Sequence, residues 1–344
     1  MGGYLVKEDD IRNTVAFDRY LELAADDAQR ICEENTLVFV TCPICGGDQR
    51  ADELHRSGFT YVVCAGCETT YVSPRPSPSA LERLYGDSDS SRYWVEHFFK
   101  PVAEARRELI FRPRAEFVVQ EFGVDLQDER IADIGAGFGL FLGELRSIWP
   151  NGSFTAIEPS PEMAGICREA GFEVIESVVE EVDERSGGFG LVTLFELFEH
   201  VYDPYSMLRS IYGLLQPGGY VLMTTLSGLG FDIQTLWESS KSLSPPHHLN
   251  FANPFTVHQV FDRAGFEVVS VETPGQLDLD IVMNSLANDS LSRFWGVVDS
   301  RVPEEGKAEF QAWLKKYRLS SHLRVIARRP ALSGSSRAAP NFHD

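Results

Sequence analysis

From Arg130 onward the chain alternates short apolar runs with helical ones. "RIADIG" precedes "LFLGELRSIW", "SFTAIE" precedes "PEMAGICREAG", and "LVTLFE" precedes "YSMLRSIYGLL". "GYVLMTT" leads to "TVHQVFDRAG" and then "FEVVSVE", and "SSHLRVIARRP" supplies a last strand. Strands separated by helices at this spacing predict a mainly parallel sheet covered on both faces, because parallel neighbours need a long crossover. The expected fold class is α/β with a doubly wound sheet. No internal repeat interrupts this rhythm.

The first strand runs into "ADIGAGFGL". Gly135, Gly137 and Gly139 permit backbone torsions and a close ligand approach that a Cβ would block. A dinucleotide fingerprint needs glycine at 140, where Leu140 stands, and a phosphate loop needs a closing Gly-Lys-Ser/Thr that is absent. Glu158 ends the next strand, where a carboxylate can accept hydrogen bonds from both hydroxyls of a ribose. A helix cap made by Glu158 or Ser160 is the alternative, and the two roles are compatible.

The pattern Asp-x-Gly-x-Gly-x-Gly resembles the first motif of class I S-adenosylmethionine (SAM)-dependent methyltransferases. "LFELFEHVYDP" and "LLQPGGYVLMTT" resemble later motifs of that family, and the resemblance covers about 126–330. It implies a seven-stranded Rossmann-like sheet in which Gly135, Ala136, Gly137 and Gly139 run beneath the methionine part of SAM, with Asp133 near its amino group. Glu158 and Pro159 would then meet the ribose, and Phe195 and Glu196 the adenine or ribose edge.

"CPICGG" and "CAGC" place Cys42, Cys45, Cys64 and Cys67 in a C-x2-C-x18-C-x2-C arrangement. Two such knuckles can give four thiolates to one tetrahedral zinc. With no open coordination position, that Zn2+ is expected to be structural, stapling a segment too small to fold on its own apolar area. Cys32 and Cys167 fall in helical patterns and read as buried hydrophobes. A zinc ribbon continuing through "TTYVSPRPS" into a methyltransferase domain is similar to bacterial sugar C-methyltransferase-like proteins. Many family ribbons carry glycine after the fourth cysteine, where this chain has Glu68.

Methyl transfer is an in-line displacement, so the protein must align a nucleophile and help to remove its proton. "SLSPPHHLNFANP" brings His247 and His248 after the fifth strand. His248 matches the histidine of a Tyr-x-Glu-His motif in the sugar C-methyltransferases, whereas Pro245 and His247 replace the tyrosine and the glutamate. His248 is the first candidate base and His247 a weaker one, with capping or packing as the alternative. Glu199 and His200, just past the fourth strand, form a second candidate pair, with a solvated helix start as the competing reading. Tyr85, Tyr93 and Trp94 lie where a lid would be expected, and a packed core is the default reading. "TPGQLDLDIVMN", with Asp278 and Asp280, is assigned no role beyond shaping the acceptor side.

The formal charge of −20 argues against a nucleic acid or an anionic membrane as partner. No basic-then-apolar leader and no long charge-free apolar run is present, so a cytoplasmic protein is expected. The expected organisation is an N-terminal helix (1–36), a zinc ribbon (37–76), a helical linker or lid (77–125), a methyltransferase domain (126–330) with a helical insertion at about 278–320, and a disordered tail (331–344). The expected function is SAM-dependent methylation, on carbon or oxygen, of a small-molecule acceptor such as a nucleotide-linked sugar or secondary metabolite. A non-catalytic SAM-binding module and a nucleotide-dependent oxidoreductase are the alternatives. The oligomeric state is left open.

Overall fold

The computed structural model describes residues 7–34, 36–123, 126, 128–286 and 293–331. The tail expected from 331 lies, past that residue, outside them. In chain order the strands are β1 (Leu37–Val38), β2 (Arg50–Arg56), β3 (Phe59–Cys64), β4 (Thr70–Val72) and β5 (Arg75–Pro76). They continue as β6 (Arg130–Ile134), β7 (Ser153–Ile157), β8 (Glu173–Ile175), β9 (Phe189–Phe195) and β10 (Leu215–Leu226). The last three are β11 (Asn250–Phe251), β12 (Glu267–Glu272) and β13 (His322–Arg328). Among the described residues two compact units form, each from separated stretches: a sheet unit within 103–224, 258–270 and 325–331, and a ribbon unit within 7–102, 225–257 and 271–324.

The large sheet has seven strands in the order β12-β13-β10-β9-β6-β7-β8. The run from β10 to β8 is parallel throughout. β13 is antiparallel to β10: Gly218 N–H donates to Arg329 O at one end of the pair, and Ser227 N–H to Ser321 O at the other. In β9 every residue but the last is buried, which is why "FGLVTLF" reads as a continuous apolar run and not as an alternation. Helices Arg112–Phe122 and Leu140–Ile148 pack Val118, Phe122, Phe141 and Leu145 against Ile131, Leu191 and Leu222. Helix Pro204–Leu214 starts at Asp203, whose carboxylate accepts from the amides of Tyr205 and Ser206, and it packs on helix His258–Ala264.

In the ribbon unit, β2 and β3 form a hairpin across Ser57 and Gly58, both at positive φ (47° and 81°), as a two-residue turn between right-twisted strands requires. β4 pairs with β3, and β11 adds to β4 antiparallel, with Asn250 opposite Tyr71. Buried Arg75 fixes that addition: its guanidinium donates to Val72 O and to Asn250 Oδ1. Helix Thr14–Glu33 buries Phe17, Tyr20, Ala24, Asp27, Ala28 and Ile31. Helices Asp278–Leu286, Arg293–Arg301 and Glu304–Lys316 make up the described part of the expected insertion. Asp278 is the hub of that region. Its buried carboxylate accepts from Gln311 Nε2, Ser320 Oγ, Ser321 Oγ and the Ser321 amide, tying the insertion to the start of β13. Among the described residues no helix is long and apolar enough to cross a membrane.

Candidate functional site

β6 ends at Ile134, and the chain turns through Gly135, Gly137 and Gly139 at φ of 67°, 55° and 70°. All three lie in the left-handed region, where an L side chain costs roughly 1–2 kcal/mol. Crowding adds to this at Gly135 and Gly139, where a Cβ would meet Leu197 at 3.3 Å and the Cys167 sulfur at 3.1 Å. Gly137 differs. Its Cβ would meet nothing within 4 Å, so the middle of the turn borders open space.

Glu158 follows β7 and is 6% exposed. Its Oε2 accepts the Gly137 amide at 2.8 Å and its Oε1 the Ser160 amide at 2.9 Å. The carboxylate therefore sews the glycine turn to the entry of helix Pro161–Glu169, while each oxygen keeps a second lone-pair direction. Burial raises its pKa, and the two amides oppose that rise. Of the two capping candidates it is Ser160 that caps the helix, its hydroxyl accepting from the Met163 amide, while Glu158 holds the amide of that cap residue.

Asp133 lies in β6 opposite Thr193 of β9, and the Thr193 hydroxyl donates to Asp133 Oδ1 at 2.7 Å. Burial pushes the Asp133 carboxyl up to about 7, against the Thr193 hydrogen bond and the Arg114 charge. Where β9 ends, Glu196 takes a φ of 52° without being glycine. Its Oε1 accepts from Arg114 Nη2 and from Thr224 Oγ1, both at 2.7 Å, and these bonds hold the strained residue in place. The Arg114 guanidinium also lies 4.7 Å from the Phe195 ring centroid, and Phe195 packs edge-on to Phe141. The sheet unit therefore brings together Asp133, the glycine turn and Glu158, and beside the end of β9 a Glu196–Arg114–Phe195 group. Pro159 is exposed, Glu199 buried and His200 half-buried, the last two directly after β9. Arg114 was not anticipated, since nothing in its helical surroundings marks it.

In the ribbon unit the four cysteine sulfurs lie within 4.8 Å of one another, with Cys42–Cys67 at 3.4 Å and Cys45–Cys64 at 3.5 Å. Tetrahedral zinc with Zn–S bonds of about 2.3 Å sets its sulfurs roughly 3.8 Å apart, so the quartet fits one ion with little adjustment. The Gly47 and Gly66 amides point at the Cys45 and Cys64 sulfurs at 3.4 Å, which suits thiolates. The knuckle turns place Gly46 at φ 78° and Glu68 at φ 57°, so Glu68 takes the conformation glycine takes in the first knuckle. The second knuckle is also gripped from outside the ribbon segment: Thr256 Oγ1 and Asn253 Nδ2 donate to Cys67 O. His55, on exposed β2, bonds Thr60 and is not one of the quartet.

The adjacent histidines differ in environment. His247 is 3% exposed, shares a hydrogen bond with Ser90 Oγ, and sits between the rings of Tyr20 and Tyr85. Burial, with the neighbouring His248, pushes its imidazole down to about 3, leaving it neutral and a poor base near neutrality. Half-buried His248 donates Nδ1–H to Ser242 O at 2.7 Å, which leaves Nε2 as the basic nitrogen of the neutral ring. Tyr85 donates to His247 O, and Trp94 packs on Tyr20, so both belong to packing within this unit.

Residues 102–271 match the family model described as a methyltransferase domain. A ubiquinone biosynthesis O-methyltransferase of Xanthomonas oryzae pv. oryzae is 33% identical over 111 residues, covering 30% of this chain and 46% of the relative. The Xanthomonas axonopodis pv. citri protein of the same name is 34% identical over 105 residues, covering 28% and 43%. The chain thus spans less than half the length of these curated relatives. A solved S-adenosylmethionine-dependent methyltransferase from Mesorhizobium loti is 17% identical with a TM-score of 0.45, covering 65% of this chain and 100% of that one.

Proposed function

We propose that the protein is a SAM-dependent methyltransferase acting on a small-molecule acceptor, on oxygen or carbon, a reading supported by the match of residues 102–271 to a methyltransferase-domain family model. One observation carries the reading. Glu158, tied to the Gly137 and Ser160 amides, stands beside a turn of three left-handed glycines that opens at Gly137. In this reading Glu158 accepts the ribose hydroxyls of SAM, the backbone at Gly135–Gly137 passes under its methionine part, and Asp133 faces its ammonium. Bound SAM supplies a methyl group already attached to its leaving group.

The protein's remaining task is to orient the acceptor and take its proton. Glu196, fixed by Arg114 and Thr224, shapes the donor side. Glu199 and His200 are assigned to the acceptor side by their place after β9, because ligands of open parallel sheets gather at the carboxyl ends of the strands. His248 is assigned as base because Ser242 O engages its Nδ1–H, which makes Nε2 the basic nitrogen of the ring. The O-methyltransferase names of the curated relatives favour oxygen as the acceptor atom. Cys42, Cys45, Cys64 and Cys67 are proposed to hold one structural zinc.

The test is turnover with labelled SAM against a panel of hydroxylated aromatics and sugar nucleotides. The reading expects one acceptor class to be labelled, with His248→Ala at least about a hundredfold slower, as loss of a general base predicts. Bound SAM with no acceptor labelled, or His248→Ala turning over like the wild type, would remove the corresponding assignment.

A further inference from the structure

The last two helices of the ribbon unit carry a surface that the proposed chemistry does not use. Helix Arg293–Arg301 buries none of its residues. Phe294 and Val297 are 63% and 56% exposed, and on helix Glu304–Lys316 and just beyond it Trp313 and Tyr317 are 47% and 49% exposed. These side chains are not scattered. Phe294 packs on Trp295, Trp295 on Phe310, Phe310 stacks on Trp313, and Trp313 on Tyr317, with centroids 5.0–6.1 Å apart. Trp295 and Phe310 are half-buried against Phe231, and the chain of rings continues from them to exposed Phe294, Trp313 and Tyr317; contiguous exposed aromatics of this kind mark an interaction surface.

The charges around the strip indicate what covers it. Helix Glu304–Lys316 begins with Glu304 and Glu305 and ends with Lys315 and Lys316. Such an order also suits the helix dipole, but the dipole does not account for the apolar face between the two ends. At 3.6 residues per turn Phe310, Trp313 and Tyr317 share one face, and exposed Glu305, Glu309 and Lys316 share one edge of it. Turning a second copy of the helix end for end sets aromatic face on aromatic face. It also lays Glu305 and Glu309 of each copy along Lys316 of the other. That is the self-complementarity of a two-fold interface. An anionic surface would exploit only the basic end and would have to accept a chain of formal charge −20.

We infer that this strip is a homodimer interface, in which helix Glu304–Lys316 packs antiparallel against its copy through Phe310, Trp313 and Tyr317. The inference is independent of the donor site. Sedimentation equilibrium of the full chain between about 1 and 200 µM tests it, a range matching the weak-to-moderate affinity of a small interface. The wild type is expected to rise from the monomer mass towards twice that mass. Trp313→Ala, a change at a half-exposed position, is expected to weaken the dimer at least about tenfold.

Two charge variants make the geometry decisive. Glu305→Lys with Glu309→Lys is expected to be monomeric, and so is Lys316→Glu, because each sets like charges on its own copy. Mixing the two variants in equal amounts is expected to restore a dimer, since every edge contact then joins opposite charges. A wild type that stays monomeric throughout overturns the inference. So does a wild type that stays monomeric yet sediments with phosphatidylglycerol vesicles, which would give the strip to an anionic surface. A dimer that tolerates each charge variant alone, or is not restored in the mixture, overturns it as well.

Discussion

Asp133 and Gly137 carry the consequences that single residues can test. Asp133 lies in buried β6, one residue before its end, with its carboxyl pushed up to about 7 by burial. A folded-state value raised above the ordinary 3.8 means that the neutral carboxyl is the form the fold prefers. Its contribution to stability is therefore complete below about pH 4 and lost as pH rises through 7. Asp133→Asn keeps an oxygen for the Thr193 hydroxyl and has no charge to bury. It is expected to melt like the wild type near pH 4 and increasingly above it by pH 8, by at most on the order of 4 kcal/mol. Thermal melts across that range check this, and a variant that melts below the wild type at pH 8 contradicts it. Gly137 separates backbone strain from ligand space. Gly137→Ala puts a methyl into open space at φ 55°, so it is expected to cost about 1–2 kcal/mol of stability. Its SAM affinity is expected to fall by more than that strain accounts for, which paired melting and binding measurements resolve. Equal losses in both would show that nothing binds over the turn. These residues were legible in the sequence because their signals are local: glycines at alternate positions after an apolar run, and an acid closing the next strand. Arg114 was not legible. Its partner Glu196 is 82 residues away, and only the folded sheet brings the two together.

At the scale of elements, the strands that show continuous apolar runs were readable, and the marginal ones were not. β8 has three residues on the edge of the sheet, none fully buried, so it leaves no periodic trace. β11 is two residues long and belongs to a ribbon whose other strands lie about 180 residues earlier, a pairing fixed by Arg75 and Asn250 rather than by local pattern. The segment around Asp278 carried no legible role beyond shaping the acceptor side, and the partners of its carboxylate, Gln311, Ser320 and Ser321, lie 33 to 43 residues further on. The zinc knuckles were the clearest element, since cysteine spacing alone suggests a tetrahedral site. They also carry a prediction at the one position that departs from the common ribbon. Glu68 sits at φ 57°, and Glu68→Gly is expected to stabilise the ribbon by about 1 kcal/mol, through relief of the left-handed strain. Slower zinc loss to a chelator, followed with a metal-sensitive dye, is the readout. Faster loss would mean that the contact of Glu68 with Asn253 outweighs the strain. Metal analysis is expected to give one zinc per chain, and Cys64→Ser to lose it; a chain that melts unchanged without metal would refute a structural role.

For the whole molecule, a reading along the chain yields consecutive segments, whereas contacts gather the chain into two units that share it alternately. Composition reports burial in general and says nothing of which distant stretches meet, so that interleaving was beyond sequence reasoning. The strand order of the sheet follows more readily, because short crossovers place successive strands side by side. What joins these scales is the claim that the glycine turn and Glu158 form a SAM site. Isothermal titration calorimetry of SAM into the wild type and into Glu158→Ala, with NAD as a control ligand, tests it most directly. The account predicts micromolar or tighter binding of SAM, no heat with NAD, and a loss of at least about tenfold in the variant, the worth of one charge-assisted hydrogen bond. Equal affinity in both proteins, or no SAM binding to the wild type, would contradict it.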